Sequence, residues 1–434
     1  MFKQKLNQFK HYLIAVATYW YYGRPARKLI VVGVTGTKGK STTCRLIASV
    51  LEAGGYKVGM LTTVEFQIAE KRWANDKKMT MLGLGQIQKI LRQMVKAGCR
   101  YAVVETSSEG ILQYRHYGLN YDVAVFTNLG TEHSERHGGF ENLRADKGKM
   151  FATLSGVHKI IAGQKVPKVI IANADDENAN FFLTYKSDQK YIFGLKDRAS
   201  FSGTTIIPTS TISNAHGSTF TFADKDFEIK LIGEFNLYNA LAALAVGKSQ
   251  GIDDEKIISG LKSVKLVSGR MEFVEAGQNF KVVVDYAHEP MSFTQLFDTL
   301  RGLIAPGNKV IAVIGSDGGG RDTGKRVQMG KIAGELCDFV VVTDVNCFDE
   351  NPAEIAEMLA SGARLAGKKN EKNLFVEIDR EKAFSKAFEL ANSGDVVALT
   401  AKGTEPVICV ANGKKIVWDD RNVANKLLKK YEHR

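Results

Sequence analysis

The chain has 434 residues, enough for two or three domains with sizeable cores, and its 44% hydrophobic and 24% charged content, free of repeats and low-complexity tracts, excludes disordered and fibrous classes. Its formal net charge of +12 favours anionic partners; without a recognition helix, an RNP-like motif or an aromatic-basic platform, nucleic acid is not indicated, and polyphosphate substrates explain the surplus equally well. Five widely spaced cysteines (44, 99, 337, 347 and 409) form no CxxC pair, which suits a reducing cytoplasm and argues against a disulfide framework or a zinc site.

In chain order, residues 1–28 come first. Phe2, Leu6, Phe9, Leu13, Val16 and Trp20 recur at alternating spacings of four and three, one face of an amphipathic helix. The uninterrupted apolar part is shorter than the ~20 residues of a spanning helix, and no small-residue cleavage site follows. The default expectation is a helix packed on the next domain. The alternative is a helix lying on a membrane surface, helped by Lys3, Lys5, Lys10, Arg24, Arg27 and Lys28.

Strand-like runs then alternate with helical stretches at 30–34, 58–61, 101–104, 123–126, 169–172, 282–284, 310–314, 339–342 and 396–399. This predicts an α/β fold with mostly parallel sheets. The pattern resets around Val267-Ser268-Gly269-Arg270, predicting a central domain over 29–267 and a second, Rossmann-like α/β domain over 268–434. A Thr-, Ser-, Gly- and Asp-rich stretch from about 195 to 230 reads as hairpins. Polar residues sit just past many strands, namely Glu105, Asn128, Asn173, Asp285, Asp344 and Lys402. Ligands of open α/β sheets bind beyond those strand ends.

The most informative run is Thr35-Gly36-Thr37-Lys38-Gly39-Lys40-Ser41-Thr42, between an apolar strand and an apolar-periodic helix. A glycine-rich turn there aims backbone N–H groups at a phosphate, and the helix N-terminus adds partial positive charge. Lys40 can reach terminal phosphates while Ser41 ligates Mg²⁺. The general P-loop spacing wants glycine where this chain has Val34, so the loop is a variant. The bland reading, an incidental lysine in a strand-to-helix turn, fits the Gly-Lys-Ser context poorly. Glu105-Thr106-Ser107-Ser108 reads either as a second Mg²⁺ ligand or as a helix-capping cluster. His133, past a strand end near an acid, is a candidate ligand, whereas Lys147 would ordinarily be a solvated helix lysine.

In order along the chain stand TGTKGKSTT (35–43), ETSS (105–108), TNLGTEHSERHG (127–138), NADD (173–176), GEFNLYNALAA (233–243), SGRME (268–272), DYAHEP (285–290), GRDTGKRVQMG (320–330) and AKGTE (401–405). Together these segments resemble the Mur ligase family. The resemblance covers about residues 30–410 and is nearest to the branch that adds the third residue to UDP-N-acetylmuramoyl-L-alanyl-D-glutamate in peptidoglycan precursor synthesis. It implies a P-loop ATPase-like central domain, an ATP-dependent amide ligase that passes through an acyl phosphate, and a cytoplasmic location. Implied cofactors are ATP, two Mg²⁺ ions and a carbamate on Lys147.

The resemblance also implies roles. Thr35 to Thr42, with Lys40 and Ser41 foremost, would hold ATP, together with Asn239 at the adenine, Arg270 at a phosphate and Asp285. Ser41 and Glu105 would hold one Mg²⁺, and His133 with carbamylated Lys147 the other. Thr80, Met81, Ser107, Gln113 and Arg115 would grip the muramoyl-peptide acceptor. Arg321, Asn346, Phe348 and Glu405 would grip the incoming amino acid. Departures are present. The family's uridine-binding domain is not found ahead of the P-loop, which opens a rival reading with a lipid-linked or polymeric carboxylate acceptor. Val345-Asn346-Cys347-Phe348 stands where diaminopimelate-adding members carry Asp-Asn-Pro-Arg, and Glu109 stands where a histidine is usual. A nucleotide-binding scaffold without catalysis is the remaining rival. The added amino acid and the oligomeric state are not read from the sequence.

Overall fold

The apolar runs of the sequence become the central strands of two sheets, one in each of two units, Met1–Lys265 and Leu266–Arg434. The computed structural model describes all residues except 1, 78, 84, 131–133, 157, 197–200, 215, 321–322 and 432–434, with only the backbone of 2–7 and 136. His133 and Arg321, both expected site residues, lie outside the described residues.

The strands of the first unit are β1 (Ile30–Thr35), β2 (Val58–Leu61), β3 (Glu65–Ile68), β4 (Lys71–Ala74), β5 (Tyr101–Glu105), β6 (Val123–Phe126), the small hairpin β7 (Ile160–Ile161) and β8 (Gln164–Lys165), β9 (Val169–Asn173), β10 (Gln189–Phe193) and β11 (Thr204–Ile206). The main sheet runs β11-β10-β9-β6-β1-β5-β2-β3-β4, parallel except at the β2-β3-β4 edge. β1, β5, β6 and β9 are buried along their whole length. Such continuous apolar strands are what a parallel sheet covered on both faces requires. The edge strand β4 carries Lys71 and Arg72 outward, which discourages further strand pairing. The stretch expected to form hairpins divides: β11 extends the main sheet in parallel, while β12 (Ser210–Asn214), β13 (Gly217–Phe222) and β14 (Lys225–Ile229) form a separate antiparallel meander.

The helices of this unit are α1 (Phe2–Tyr21), α2 (Lys40–Ala53), α3 (Gln86–Lys96), α4 (Ser108–Leu112), α5 (Ser134–His137), α6 (Phe140–Ala152), α7 (Ala179–Leu183), α8 (Phe235–Ser249) and α9 (Asp254–Ser263). α2 buries Leu46, Ile47, Val50 and Leu51 as its period predicts. α8 is apolar nearly all round and correspondingly sunk in the unit. Gly260 lets α9 approach α2 closely, since a Cβ there would stand 2.7 Å from the Val50 Cα.

α1 packs on the unit, as the default expectation had it, and most of its apolar stripe is not the part that does so. Tyr12 meets the rings of Tyr114 and Tyr117 edge-on at 5.3 and 5.6 Å, and Tyr19 meets Tyr117 at 5.8 Å. Phe9, Leu13 and Trp20 remain exposed at 58%, 50% and 60%. The tyrosine side wins because amphipathic rings can bury edges while their hydroxyls stay near water.

The second unit holds β15 (Glu272–Phe273), β16 (Lys281–Val284), β17 (Val310–Ile314), β18 (Phe339–Val342), β19 (Leu374–Val376) and β20 (Val396–Leu399) in the order β15-β16-β20-β17-β18-β19, parallel except for β15. A hairpin of β21 (Val407–Cys409) and β22 (Lys415–Val417) follows, and the helices are α10 (Pro290–Gly302), α11 (Gly324–Leu336), α12 (Pro352–Leu365), α13 (Arg380–Leu390) and α14 (Asp420–Leu428). The α/β architecture expected from the sequence is thus the one observed.

At the N-terminal end of the first sheet sits a closed charge cluster. Asp122, fully buried, accepts from Lys159 Nζ at 2.5 Å, Lys168 Nζ at 2.9 Å and the Val31 N–H at 2.9 Å. Burial pulls the Lys159 ammonium down to about 8, against the pull of Asp122. Removing the anion would leave two buried cations without a counter-charge. Asp122→Asn is expected to cost roughly 3–5 kcal/mol, read as a lowered urea midpoint at unchanged m-value.

Candidate functional site

Sequence dictates a tight turn after β1, and the structure shows what closes around it. Gly36 has φ +153° and a Cβ there would fall 2.0 Å from Thr127 Oγ1; at Gly39, φ +79°, it would fall 2.3 Å from Asn239 Oδ1. Neither position has room for a side chain. The loop is clamped from the end of β6: the Lys38 N–H donates to Asn128 Oδ1 at 2.8 Å, Thr127 Oγ1 to the Lys38 carbonyl at 2.8 Å, and the Thr37 N–H to the Asn128 carbonyl at 2.9 Å. Asn173, past β9, in turn donates to the Thr127 carbonyl at 2.8 Å. From α8, Asn239 accepts from Thr43 Oγ1 at 3.0 Å and donates to Asn236 at 2.9 Å. Lys40 Nζ lies back on the Thr37 carbonyl at 2.9 Å.

Beside the loop, Ser41 Oγ donates to Glu105 Oε2 at 2.8 Å, and both residues are buried. The Thr63 N–H and hydroxyl also donate to this carboxylate, at 2.8 and 2.9 Å, and Thr63 accepts or donates at 2.9 Å with Thr80. Hydroxyl and carboxylate oxygens are the donors that Mg²⁺ takes, and that ion commonly uses one or two carboxylates together with substrate phosphates rather than a full protein cage. Among the described residues no group of three or more His, Cys, Asp or Glu side chains could hold a metal by itself. Of the two readings of residues 105–108, the capping one is seen at Ser107, which caps α4 by accepting from the Gly110 N–H at 3.2 Å, while Glu105 faces Ser41.

Lys147 is not a solvated helix lysine. It is 4% exposed, and its Nζ reaches the Gly36 carbonyl at 3.0 Å. Immediately before it in α6, Asp146 Oδ2 lies 2.5 Å from Nδ1 of His137 at the end of α5. Burial alone would raise the Asp146 carboxyl, but bonds from His137 and Lys149 outweigh it and hold it below the usual range. The hydroxyl of Thr35 and Nε2 of His137 are buried without a hydrogen-bond partner among the described residues.

The expected acceptor residues gather on one edge. Arg115 bonds the Met81 carbonyl and Gln113 Oε1, and burial pulls its guanidinium below the usual value. Met81 itself is a core side chain at 2% exposure, against Gly110. A cavity of about 400 Å³ opens beside this segment, lined by Gln8, Ile111, Tyr114, His116, Lys149 and Thr153. Burial drives the His116 imidazole down to about 4, so it is neutral near pH 7.

In the second unit, Asp285 accepts from the Met271 and Ala287 N–H groups, both at 2.7 Å, and thereby fixes the turn carrying Arg270, whose guanidinium lies 4.6 Å over the Tyr286 ring. Asn346 Nδ2 donates to Asp317 Oδ1 at 2.7 Å and Glu405 Oε2 at 3.0 Å, and its Oδ1 accepts from Lys402 Nζ at 3.0 Å. Phe348 follows with φ +51°. Sequence reasoning missed Thr63 and Asp317 as members of these networks and had Lys402 only by its place past a strand end. Only Lys402, within AKGTE and just past a strand, carried a signal.

Residues 34–247 match the Mur ligase middle domain, and 269–403 match the Mur ligase glutamate ligase domain. A UDP-N-acetylmuramyl-tripeptide synthetase of Roseiflexus sp. (strain RS-1) is 38% identical over 94% of this chain and 80% of its own length. A UDP-N-acetylmuramoyl-L-alanyl-D-glutamate--2,6-diaminopimelate ligase of Solibacter usitatus is 36% identical over 96% of this chain and 81% of its own. A solved UDP-N-acetylmuramoyl-L-alanyl-D-glutamate--2,6-diaminopimelate ligase superposes with a TM-score of 0.61 at 27% identity, covering 94% of this chain and 79% of that one. The chain therefore belongs to the Mur ligase family, the ATP-dependent acid–amino-acid ligases of peptidoglycan precursor synthesis.

Proposed function

We propose that this chain adds an amino acid to the free carboxylate of UDP-N-acetylmuramoyl-L-alanyl-D-glutamate, through an acyl phosphate. The observation that carries the reading is the Ser41–Glu105–Thr63–Thr80 chain of hydrogen bonds, which joins the phosphate loop directly to the acceptor edge. The acceptor carboxylate oxygen attacks the γ-phosphorus and ADP leaves. The amine of the incoming amino acid then attacks the acyl carbonyl, loses a proton, and phosphate departs. Lys40 neutralises the phosphates, and the loop N–H groups position them. Ser41 and Glu105 would hold Mg²⁺, which supplies charge stabilisation of the transferring phosphoryl group. Lys147, buried at the loop, is the residue we assign to carbamylation, which would turn its cation into an oxygen-donor anion. Arg270 and Asp285 keep the nucleotide roles of the family pattern, and Asn346, Phe348 and Glu405 those at the incoming amino acid.

A ligase for a lipid-linked carboxylate is the second reading. One observation favours it: the exposed stripe of α1 lies on the helix that packs against Tyr114 and Tyr117, on either side of Arg115. A screen of amino acids and carboxylate acceptors, reading released phosphate, decides between them; phosphate release with the muramoyl-dipeptide nucleotide supports the first, and release only with other acceptors removes it.

Gly39→Ala is expected to abolish ATP binding by calorimetry, because the new methyl would meet Asn239 and φ +79° disfavours it. Lys147→Ala should stop turnover while leaving the circular dichroism spectrum intact, with partial rescue by acetate or formate; undiminished turnover would remove the carbamate. Phe348→Arg should raise the use of diaminopimelate about ten- to a hundredfold in kcat/KM, the effect of one charged bidentate contact. An unchanged ratio would place side-chain selection elsewhere.

A further inference from the structure

We propose that α1 docks the protein on the surface of an anionic phospholipid bilayer, lying in the interface without crossing it. No described helix is long and apolar enough to cross a membrane. At 3.6 residues per turn, Phe9, Leu13, Val16 and Trp20 fall within an arc about 60° wide, and the sequence continues that stripe back to Phe2 and Leu6. The flank of α1 beside Val16 and its far side are already committed, with Tyr12 and Tyr19 on Tyr114 and Tyr117 and the Thr18 methyl beside Gly85. Phe9, Leu13 and Trp20 therefore stay half or more exposed on a helix that is otherwise held, and Tyr21 is 77% exposed at its end.

Charge selects the occupant. Residues 1–51 contain no Asp or Glu, whereas Lys3, Lys5, Lys10, Arg24, Arg27 and Lys28 flank the stripe in sequence. Lys10, Arg27 and Lys28 are exposed, and the Arg24 guanidinium lies 4.6 Å over the Trp20 ring. A second copy of this chain would set these cations against themselves. An anionic lipid surface attracts them, at roughly 1 kcal/mol per basic residue near the headgroups, while Trp and Tyr settle at headgroup depth and the leucine and phenylalanine go deeper. Docked this way, the protein would carry the Gln113–Arg115 segment at the lipid surface, whatever acceptor it uses.

The test is flotation of the full chain with phosphatidylglycerol-containing vesicles and with pure phosphatidylcholine vesicles, at low and high salt. Expected is binding to the anionic vesicles, lost at high salt, and weakened roughly tenfold or more both by Phe9→Ser/Leu13→Ser/Trp20→Ser and by Lys10→Glu/Arg27→Glu/Lys28→Glu. All six positions are exposed, so thermal unfolding checks that both variants remain folded. Absence of flotation, flotation indifferent to lipid charge, or a salt-resistant dimer in light scattering that the serine variant dissociates would each overturn the proposal.

Discussion

The rest of this molecule depends on one close approach, that of the loop after β1 to its neighbours. Two glycines have no space for a side chain because the Thr127 hydroxyl and the Asn239 amide occupy it. Those contacts do more than permit the turn. Thr127 and Asn128 stand at the end of β6, and Asn239 stands on α8, so the sheet and a fully packed helix together fix the loop. A loop held this way loses little further conformational freedom on binding, which is the physical content of preorganisation. The order of β6, β1 and β5 in the sheet then sets everything nearby: Asn128 from one neighbour and Glu105 from the other meet the loop from opposite sides.

How much of this was legible follows from how local each signal is. The central strands were plain because parallel strands buried on both faces are continuous apolar runs, as at 123–126 and 310–314. The β3–β4 hairpin was not, since Glu65-Phe66-Gln67-Ile68 and Lys71-Arg72-Trp73-Ala74 are short edge strands with too few apolar residues to show a period. The loop was legible as a motif, and Glu105 as a carboxylate past a strand. Thr63 and Asp317 were not, because their partners lie 42 and 29 residues away and no periodicity reports such a meeting. For α1 the apolar period predicted a helix but not which side it buries, because period alone does not choose between the stripe and the neighbouring tyrosines. His133 and Arg321 lie outside the described residues, so their sequence-based roles stand as expectations.

The two ends of the first sheet show why the buried polar groups there have different meanings. At the N-terminal end, Asp122 is matched by two ammoniums and a backbone N–H, and Lys159 and Lys168 donate in addition to the Leu29 and Tyr121 carbonyls. The two ammoniums share one carboxylate and are completed by those carbonyls, and the cluster does structural work. At the C-terminal end two polar groups differ from this among the described residues. The hydroxyl of Thr35 and Nε2 of His137 are buried without a partner among the described residues. Burying polar groups that the protein does not itself satisfy costs about 1–3 kcal/mol each. Atoms of Ser187, Gln88 and Arg380 are likewise buried without a partner among the described residues, so the pair beside the loop gains its meaning only from its place at the strand ends, where ligands of open α/β sheets bind.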